Sequence, residues 1–208
     1  MPRRLRNLLM QGVSTLPQKG ITKEGTPMPP TRLLGICGAL RTGSTNRMLL
    51  GEAFRLFGQA EVTLADLRLP LYDGDLEDQD GIPASVDRLA SQIAASDAVV
   101  ISTPEYNKAP PGVLKNALDW VSRVDGNPWQ DKPVAILSAA AGRAGGEASQ
   151  FALRLQLNPF RPRVLAGPAV MLASSRSAFD ADNRLKEERM VKTLRDLMAG
   201  LRAEIRAA

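Results

Sequence analysis

Histidine is missing from all 208 residues of this chain, and cysteine occurs once, as Cys37. Without histidine there is no Ser-His-Asp or Cys-His relay, and no histidine-ligated zinc or iron centre. A single thiol forbids an intramolecular disulfide and favours a reducing compartment, so a cytoplasmic setting is expected. No apolar run approaches the ~20 residues that span a bilayer, and no membrane partner is expected. The amino-terminal stretch also lacks the apolar segment of a secretory signal. Its Arg-rich opening, Met1-Pro2-Arg3-Arg4-Leu5-Arg6, leaves organelle targeting as the alternative.

An excess of negative charge is also missing, and the net charge is +5. Five cations (Arg3, Arg4, Arg6, Lys19 and Lys23) face Glu24 alone within residues 1–30, so that segment carries +4 and the rest of the chain +1. A nearly neutral body offers no basic footprint, so no nucleic-acid partner is expected. Residues 1–30 read as a basic, disordered extension. Residues 31–208 read as one globular domain, long enough to bury a substantial core.

Apolar runs of two periods alternate through that domain. A strand is expected at 32–37 and a helix at 44–58, the latter from Leu49, Leu50, Ala53, Phe54 and Phe57 at helical spacing. A short strand at 62–65 precedes a loop, 66–82, rich in Asp, Gly and Pro. Pro83 opens a helix that carries Val86, Leu89, Ala90 and Ile93 on one face. The continuous apolar run 97–102 suits a central parallel strand covered on both sides. A helix at 111–123, a strand at 134–138 and a helix at 147–157 follow. The last strand falls within 163–172, interrupted at Gly167-Pro168, and a final helix spans 184–206. Five strands alternating with helices imply an α/β fold, an open doubly wound parallel sheet with helices on both faces. Ligands of such sheets bind at the carboxyl ends of the strands, where strand order reverses. That rule selects three loops: 38–46, 103–111 and 138–146.

The first loop, Gly38-Ala39-Leu40-Arg41-Thr42-Gly43-Ser44-Thr45-Asn46, turns a strand into a helix and points backbone N–H groups into one concavity. Gly38 and Gly43 let the backbone come close to a bound group. Arg41 adds a bidentate cation, while Ser44, Thr45 and Asn46 cap the helix or bind phosphate oxygens. The spacing of Gly38 and Gly43 fits a Walker A loop, but Ser44 stands where that motif requires lysine, and GxGxxG is absent. An ordinary capped turn is the plainer reading, and it leaves Arg41 unexplained. In the second loop, Pro104-Glu105-Tyr106-Asn107 sets a carboxylate, a flat aromatic and an amide in succession, which suits the edge of a planar heterocycle. The alternative makes Tyr106 core filler and Glu105 a solvated charge. The third loop, Ala139 to Gly146, suits the rim of a flat ligand with Arg143 free to meet a second anion, or is a mere flexible connection.

These residues carry a family resemblance. Residues 38–46 are similar to the G-S-L-R-x-G-S-x-N phosphate loop of the NADPH-dependent FMN reductase family, flavodoxin-like proteins that include quinone, chromate and azo-dye reductases. Thr103-Pro104-Glu105-Tyr106-Asn107, with Pro111-Gly112-Val113-Leu114-Lys115-Asn116-Ala117-Leu118-Asp119-Trp120, resembles that family's T-P-E-Y-N…P-G-x-L-K-N-A-x-D-W segment. Weaker similarity runs through 69–73 and 177–180, so the resemblance covers roughly 31–205.

The resemblance implies a flavodoxin-like sheet and bound FMN. Ala39, Leu40, Arg41, Thr42, Gly43, Ser44, Thr45 and Asn46 would hold the phosphate, chiefly through Arg41, Ser44, Asn46 and the loop N–H groups. Pro104, Glu105, Tyr106 and Asn107 would line the isoalloxazine, with Ser138, Ala139 and Ala140 along its other edge. NADPH or NADH would reduce the flavin, which would pass electrons to a quinone or another promiscuous acceptor such as chromate, an azo compound or free flavin. Such chemistry lies on the cofactor and needs neither a catalytic side chain nor a metal. Relatives of this kind are homodimers or homotetramers, which would bring Tyr72 and Asp73 near a neighbouring subunit's flavin. Arg143 and Tyr72 are the expected substrate-side residues, and Lys115, Asn116, Asp119 and Trp120 are expected to serve packing and subunit contact.

Two departures stand out. Ala39 occupies the position of the family's usual serine, and one neutral hydrogen bond is worth about 0.5–1.5 kcal/mol, so weaker FMN retention is expected. The loop after the fourth strand lacks the commoner bulky residue. Other classes stay open on sequence grounds. They are a non-enzymatic flavodoxin-type electron carrier, a flavin-free protein that keeps only the shape, and a P-loop phosphotransferase.

Overall fold

Side chains alternating across the central strands build two cores, one on each face of a single sheet. The computed structural model describes residues 29–207, and the greater part of the expected basic extension lies outside the described residues. The strands are β1 (Arg32–Cys37), β2 (Glu61–Leu64), β3 (Ala98–Thr103), β4 (Pro133–Ala139), β5 (Arg163–Val164) and β6 (Val170–Leu172). The helices are α1 (Thr45–Phe57), α2 (Gly74–Asp80), α3 (Ala84–Ala95), α4 (Gly112–Val121), α5 (Glu147–Leu157) and α6 (Glu188–Arg206).

All strand pairs are parallel, in the order β2-β1-β3-β4-β5, with β6 pairing β4 beyond β5. This is the flavodoxin-like doubly wound α/β fold expected from the alternating pattern. Leu33, Val100, Ala135 and Leu137 face α1 and α6, whose Leu49, Ala53, Leu194 and Leu201 are fully buried against them. Leu34, Ile36, Val99, Ile101, Val134 and Ile136 face the opposite way, toward α3, α4 and α5. The period of two thus assigns each strand residue to one core or the other.

Three elements differ from the sequence expectation. The stretch 66–82 contains α2, which buries none of its residues. Its signal is a cap rather than an apolar stripe: Asp73 accepts from the Asp75 N–H at 3.0 Å, and Asp75 and Glu77 sit in the first turn. The expected last strand is two short pieces, β5 and β6, separated at the cis Gly167–Pro168 bond and both paired with β4. Helix α6 starts at Glu188 rather than 184. Asp180 explains the delay, since its carboxylate accepts from the N–H groups of Asp182 and Arg184 at 2.9 and 2.8 Å and holds a turn there instead.

That turn is anchored to α1 by a buried carboxylate. Glu52 is 1 % exposed and accepts from Arg55 at 2.9 and 2.8 Å and from Arg184 at 2.9 Å. Burial pushes the Glu52 carboxyl up, but the hydrogen bonds from Arg55 and Arg184 outweigh it and leave the group below its ordinary value near 4.5. A carboxylate held low in the folded state stabilises the fold above the unfolded value, and that stability is lost as pH falls through the folded one. Glu52→Gln is therefore expected to destabilise the protein by about 1.5–3 kcal/mol near neutrality, the range for hydrogen bonds to charged groups. In urea unfolding followed against pH, the gap between variant and wild type should close below about pH 4.5, as the wild-type carboxyl takes up its proton.

Candidate functional site

Three loops leave the carboxyl ends of β1, β3 and β4, where strand order reverses, and they enclose one cavity of about 650 Å³. That volume falls within the usual range for small-molecule and cofactor sites.

The first loop presents donors. Ser44 caps α1, its Oγ accepting from the Asn46 N–H at 3.2 Å while its own N–H bonds back to the Arg41 carbonyl at 3.2 Å. Among the described residues the N–H groups of Arg41, Thr42, Gly43 and Thr45 have no internal acceptor. Arg41 is exposed on the cavity wall and forms no ion pair among the described residues. No acidic side chain occupies the first turn of α1. A run of unpaired N–H groups, a helix N-terminus and a free guanidinium form a site for an anion. Gly38, by contrast, lets the loop approach the protein itself: a Cβ there would stand 3.0 Å from Pro111 and 3.1 Å from Pro104.

Asn46 is buried, with 2 % of its surface exposed. Its Oδ1 accepts from Ser102 Oγ at 2.9 Å and from the Ala139 N–H at 3.0 Å, and its Nδ2 donates to the Ala139 carbonyl at 2.9 Å. The start of α1 is thereby stitched to the ends of β3 and β4.

The second loop forms a platform. Tyr106 and Ala109 exchange backbone hydrogen bonds at 3.0 and 3.1 Å around Asn107 and Lys108, whose φ angles are 51° and 65°. Positive φ at both central residues defines a type I′ hairpin turn. Tyr106 stands 55 % exposed on the cavity wall, so it is not core filler. Glu105 is not a solvated charge either. One carboxylate oxygen accepts from the Ala148 N–H at 3.1 Å, at the start of α5, and the other pairs with Lys108 at 3.3 Å.

The third loop is shaped by close packing. A Cβ on Gly145 would lie 2.4 Å from the Met171 carbonyl oxygen, and one on Gly146 would lie 2.8 Å from the Ser138 Cβ. Both glycines also have positive φ, 62° and 92°. Ser138 is fully buried and donates to the Gly145 carbonyl at 2.6 Å, while Gln150 donates to Ser138 Oγ at 2.9 Å. The loop is a fixed rim rather than a flexible connection.

Of the residues expected from sequence, Ala39, Arg41, Gly43, Ser44, Thr45, Asn46, Pro104, Glu105, Tyr106, Ala139 and Ala140 line the cavity. Leu40 packs toward the α3–α5 core, and Ser138 supports the rim from beneath. Thr42, Asn107 and Arg143 are exposed but outside the lining. Tyr72 is also outside it. The Tyr72 ring meets Trp120 edge-on at 5.0 Å, and its hydroxyl donates to Glu77 at 3.0 Å, the main reason its pKa is raised. Asn116 and Trp120 both donate to the Pro70 carbonyl, at 2.9 and 2.8 Å, so their packing role holds the 70–72 segment. A further wall was missed from sequence: Ser175, Arg176, Phe179, Asp180 and Asn183, after β6. Its one signal was the weak similarity at 177–180.

No cysteine or metal chemistry competes for this cavity. Burial raises the Cys37 thiol above its ordinary value, and its Sγ donates to the Ala39 carbonyl at 3.3 Å. A neutral, buried thiol is a poor nucleophile. Among the described residues no cluster of carboxylates or cysteine could hold a metal ion, and no helix is long and apolar enough to cross a membrane.

Comparison with known proteins agrees with this geometry. Residues 31–177 match the NADPH-dependent FMN reductase family. An NAD(P)H-dependent FMN reductase of Pseudomonas aeruginosa is 41 % identical over 177 residues, covering 84 % of this chain and 95 % of that protein. A quinone reductase of Escherichia coli is 42 % identical over 128 residues, covering 59 % of this chain and 67 % of its own length. Among solved structures, the flavoenzyme NAD(P)H:(acceptor) oxidoreductase of Paracoccus denitrificans superposes with a TM-score of 0.77 at 32 % identity, over 85 % of this chain and 98 % of that one. A phosphate-type loop, an aromatic platform and a rigid small-residue rim at one switch point thus coincide with a match over most of the chain: it belongs to the NADPH-dependent FMN reductase family and is an NAD(P)H-dependent oxidoreductase.

Proposed function

We propose that the cavity binds FMN and that the protein passes hydride equivalents from NADPH or NADH to a quinone-type acceptor, acting as a homo-oligomer. The observation that carries this reading is the set of N–H groups of Arg41, Thr42, Gly43 and Thr45, without an acceptor among the described residues, beside the Arg41 guanidinium in one cavity with the exposed Tyr106 ring. Bound FMN would supply the redox chemistry, which the protein side chains do not.

The chain's own residues bind and orient. The N–H groups of Arg41, Thr42, Gly43 and Thr45 and the Arg41 guanidinium take the phosphate. Burial at the head of α1 excludes the Asn46 side chain from the bulk of that task and makes it the clamp that sets the distance between the phosphate loop and the Ala139 rim. Tyr106 and the Pro104–Glu105 backbone line one edge of the ring, and Ala139 and Ala140 the other. Alanines along that rim leave the ring face open to alternating ligands, which supports a broad acceptor range. Ala39 contributes no hydroxyl, and Ser44 Oγ already caps the helix, so phosphate binding rests on backbone donors and Arg41 more than on side-chain hydroxyls.

A relative named a quinone reductase supports a quinone as acceptor, and Leu71, 80 % exposed beside Tyr72, supports a neighbouring subunit over that loop. Arg143, exposed on the third loop, remains a substrate-side candidate that would meet the nicotinamide dinucleotide rather than FMN.

The decisive experiment is anaerobic titration of the FMN-loaded protein with NADPH and NADH, followed by a quinone. The flavin's visible absorbance should bleach with the nucleotide and return with the quinone. Failure of the purified chain to bind added FMN would remove the proposal. Arg41→Ala is expected to weaken FMN binding by about 1.5–3 kcal/mol, measured by flavin fluorescence, and unchanged affinity would put the phosphate elsewhere. Asn46→Ala leaves a hydroxyl, an N–H and a carbonyl unpaired in the interior. At about 1–3 kcal/mol for each such group, it should lower urea stability by about 3 kcal/mol or more, even without flavin.

A further inference from the structure

The wall after β6 brings a second cation to the first loop. Ser175 Oγ accepts from Thr45 Oγ1 at 3.1 Å, which fixes this wall against the start of α1. Arg176 follows at once, in the 3-10 turn Ser175–Ser177, and lines the same cavity as Arg41, Gly43 and Ser44. It is exposed, and among the described residues no carboxylate lies within 4.0 Å of its guanidinium.

The backbone beneath Arg176 is firmly held. Ser175 N–H donates to the Ala140 carbonyl at 3.0 Å, and Lys186 N–H to the Ala178 carbonyl at 3.0 Å. Phe179 and Leu185 form a β-bridge, and Arg184 reaches the buried Glu52. An anchored turn that carries an exposed arginine at a cavity wall is placed to meet an anion.

The two carboxylates that line the cavity are already engaged. Asp180 accepts from two backbone N–H groups of its own turn, and Glu105 accepts from Ala148 N–H and pairs with Lys108. Neither draws Arg176 away. A terminal phosphate monoester carries about −1.5 to −2 at pH 7, more than Arg41 alone offsets.

We propose that Arg176 is the second phosphate-binding cation of this site, and that it selects a flavin ending in a phosphate monoester over one ending in a hydroxyl. The inference rests on the FMN reading and adds a residue outside the first loop to it. Arg41 grips the phosphate from the β1–α1 turn, and Arg176 closes on it from the turn after β6. Specificity then comes from two cations on separate elements, held at a fixed spacing by the Thr45–Ser175 and Glu52–Arg184 bonds.

The test compares FMN with riboflavin on the full chain freed of flavin, using fluorescence titration of wild type, Arg176→Ala, Arg176→Lys and Arg41→Ala. Arg176→Ala should raise the FMN dissociation constant about ten-fold and leave that for riboflavin within about two-fold, with Arg176→Lys in between. An exposed arginine with no ion-pair partner among the described residues should leave the urea midpoint unchanged when replaced, and that is measured alongside. Equal weakening of FMN and riboflavin would overturn the proposal, since the residue would then only shape the wall. Loss of FMN affinity in Arg41→Ala with none in Arg176→Ala would overturn it and leave the FMN reading standing. A wild-type chain that binds neither flavin would sink both.

Discussion

The Asn46 carboxamide is the interaction on which this site depends. One buried side chain at the head of α1 bonds Ser102 at the end of β3 and both backbone groups of Ala139 at the end of β4. The three elements that must cooperate therefore meet at a single amide, with one donor and one doubly used acceptor. Buried polar groups of this kind stabilise only when satisfied, and here both ends of the amide are. Because the amide fixes where the first loop stands relative to the third, the N–H groups of Arg41, Thr42, Gly43 and Thr45 and the small-residue rim face one cavity. The same logic recurs around it. Glu105 ties the second loop to α5, Ser138 ties the third loop to its own strand, and Glu52 ties the turn at 180–184 to α1.

This arrangement explains how a protein that has no histidine and, among its described residues, no metal-binding cluster or activated thiol sustains redox chemistry. On the proposed reading the chain supplies a frame, a charge-complementary end and an open face for the ring, and the electrons would move on bound FMN. Rigidity comes from helices packed on both faces of a parallel sheet whose central strands are fully buried. The three candidate loops share one cavity because they leave the sheet at the carboxyl ends of its strands, where strand order reverses.

Much of the fold was legible because the strands are nearly pure in character. Val99, Val100 and Ile101 form a short β-branched run that suits a strand covered on both faces, and Leu49, Ala53 and Phe57 mark the buried side of α1 at helical spacing. Helix α2 was not legible through periodicity because it buries nothing. The start of α6 was misplaced because Leu185 is buried without being helical, and Asp180 holds that segment in a turn. The first and second loops were legible because Arg41, Ser44 and Tyr106 are unusual side chains at predictable strand ends. Asn46 was read as a capping or phosphate-binding side chain because its partners, 56 and 93 residues away, cannot be seen in the sequence. The wall at 175–183 was hidden because the last strand is split, which obscured where its carboxyl end, and so its loop, would fall.

The central claim, that the first loop takes the phosphate of FMN and the Tyr106 hairpin flanks its ring, is tested most directly by a crystal structure of the chain with FMN. The account predicts phosphate oxygens within hydrogen-bonding distance of the N–H groups of Thr42, Gly43 and Thr45, and the ring between Tyr106 and Ala139–Ala140. A flavin bound with its phosphate away from residues 41–45, or outside this cavity altogether, would contradict it.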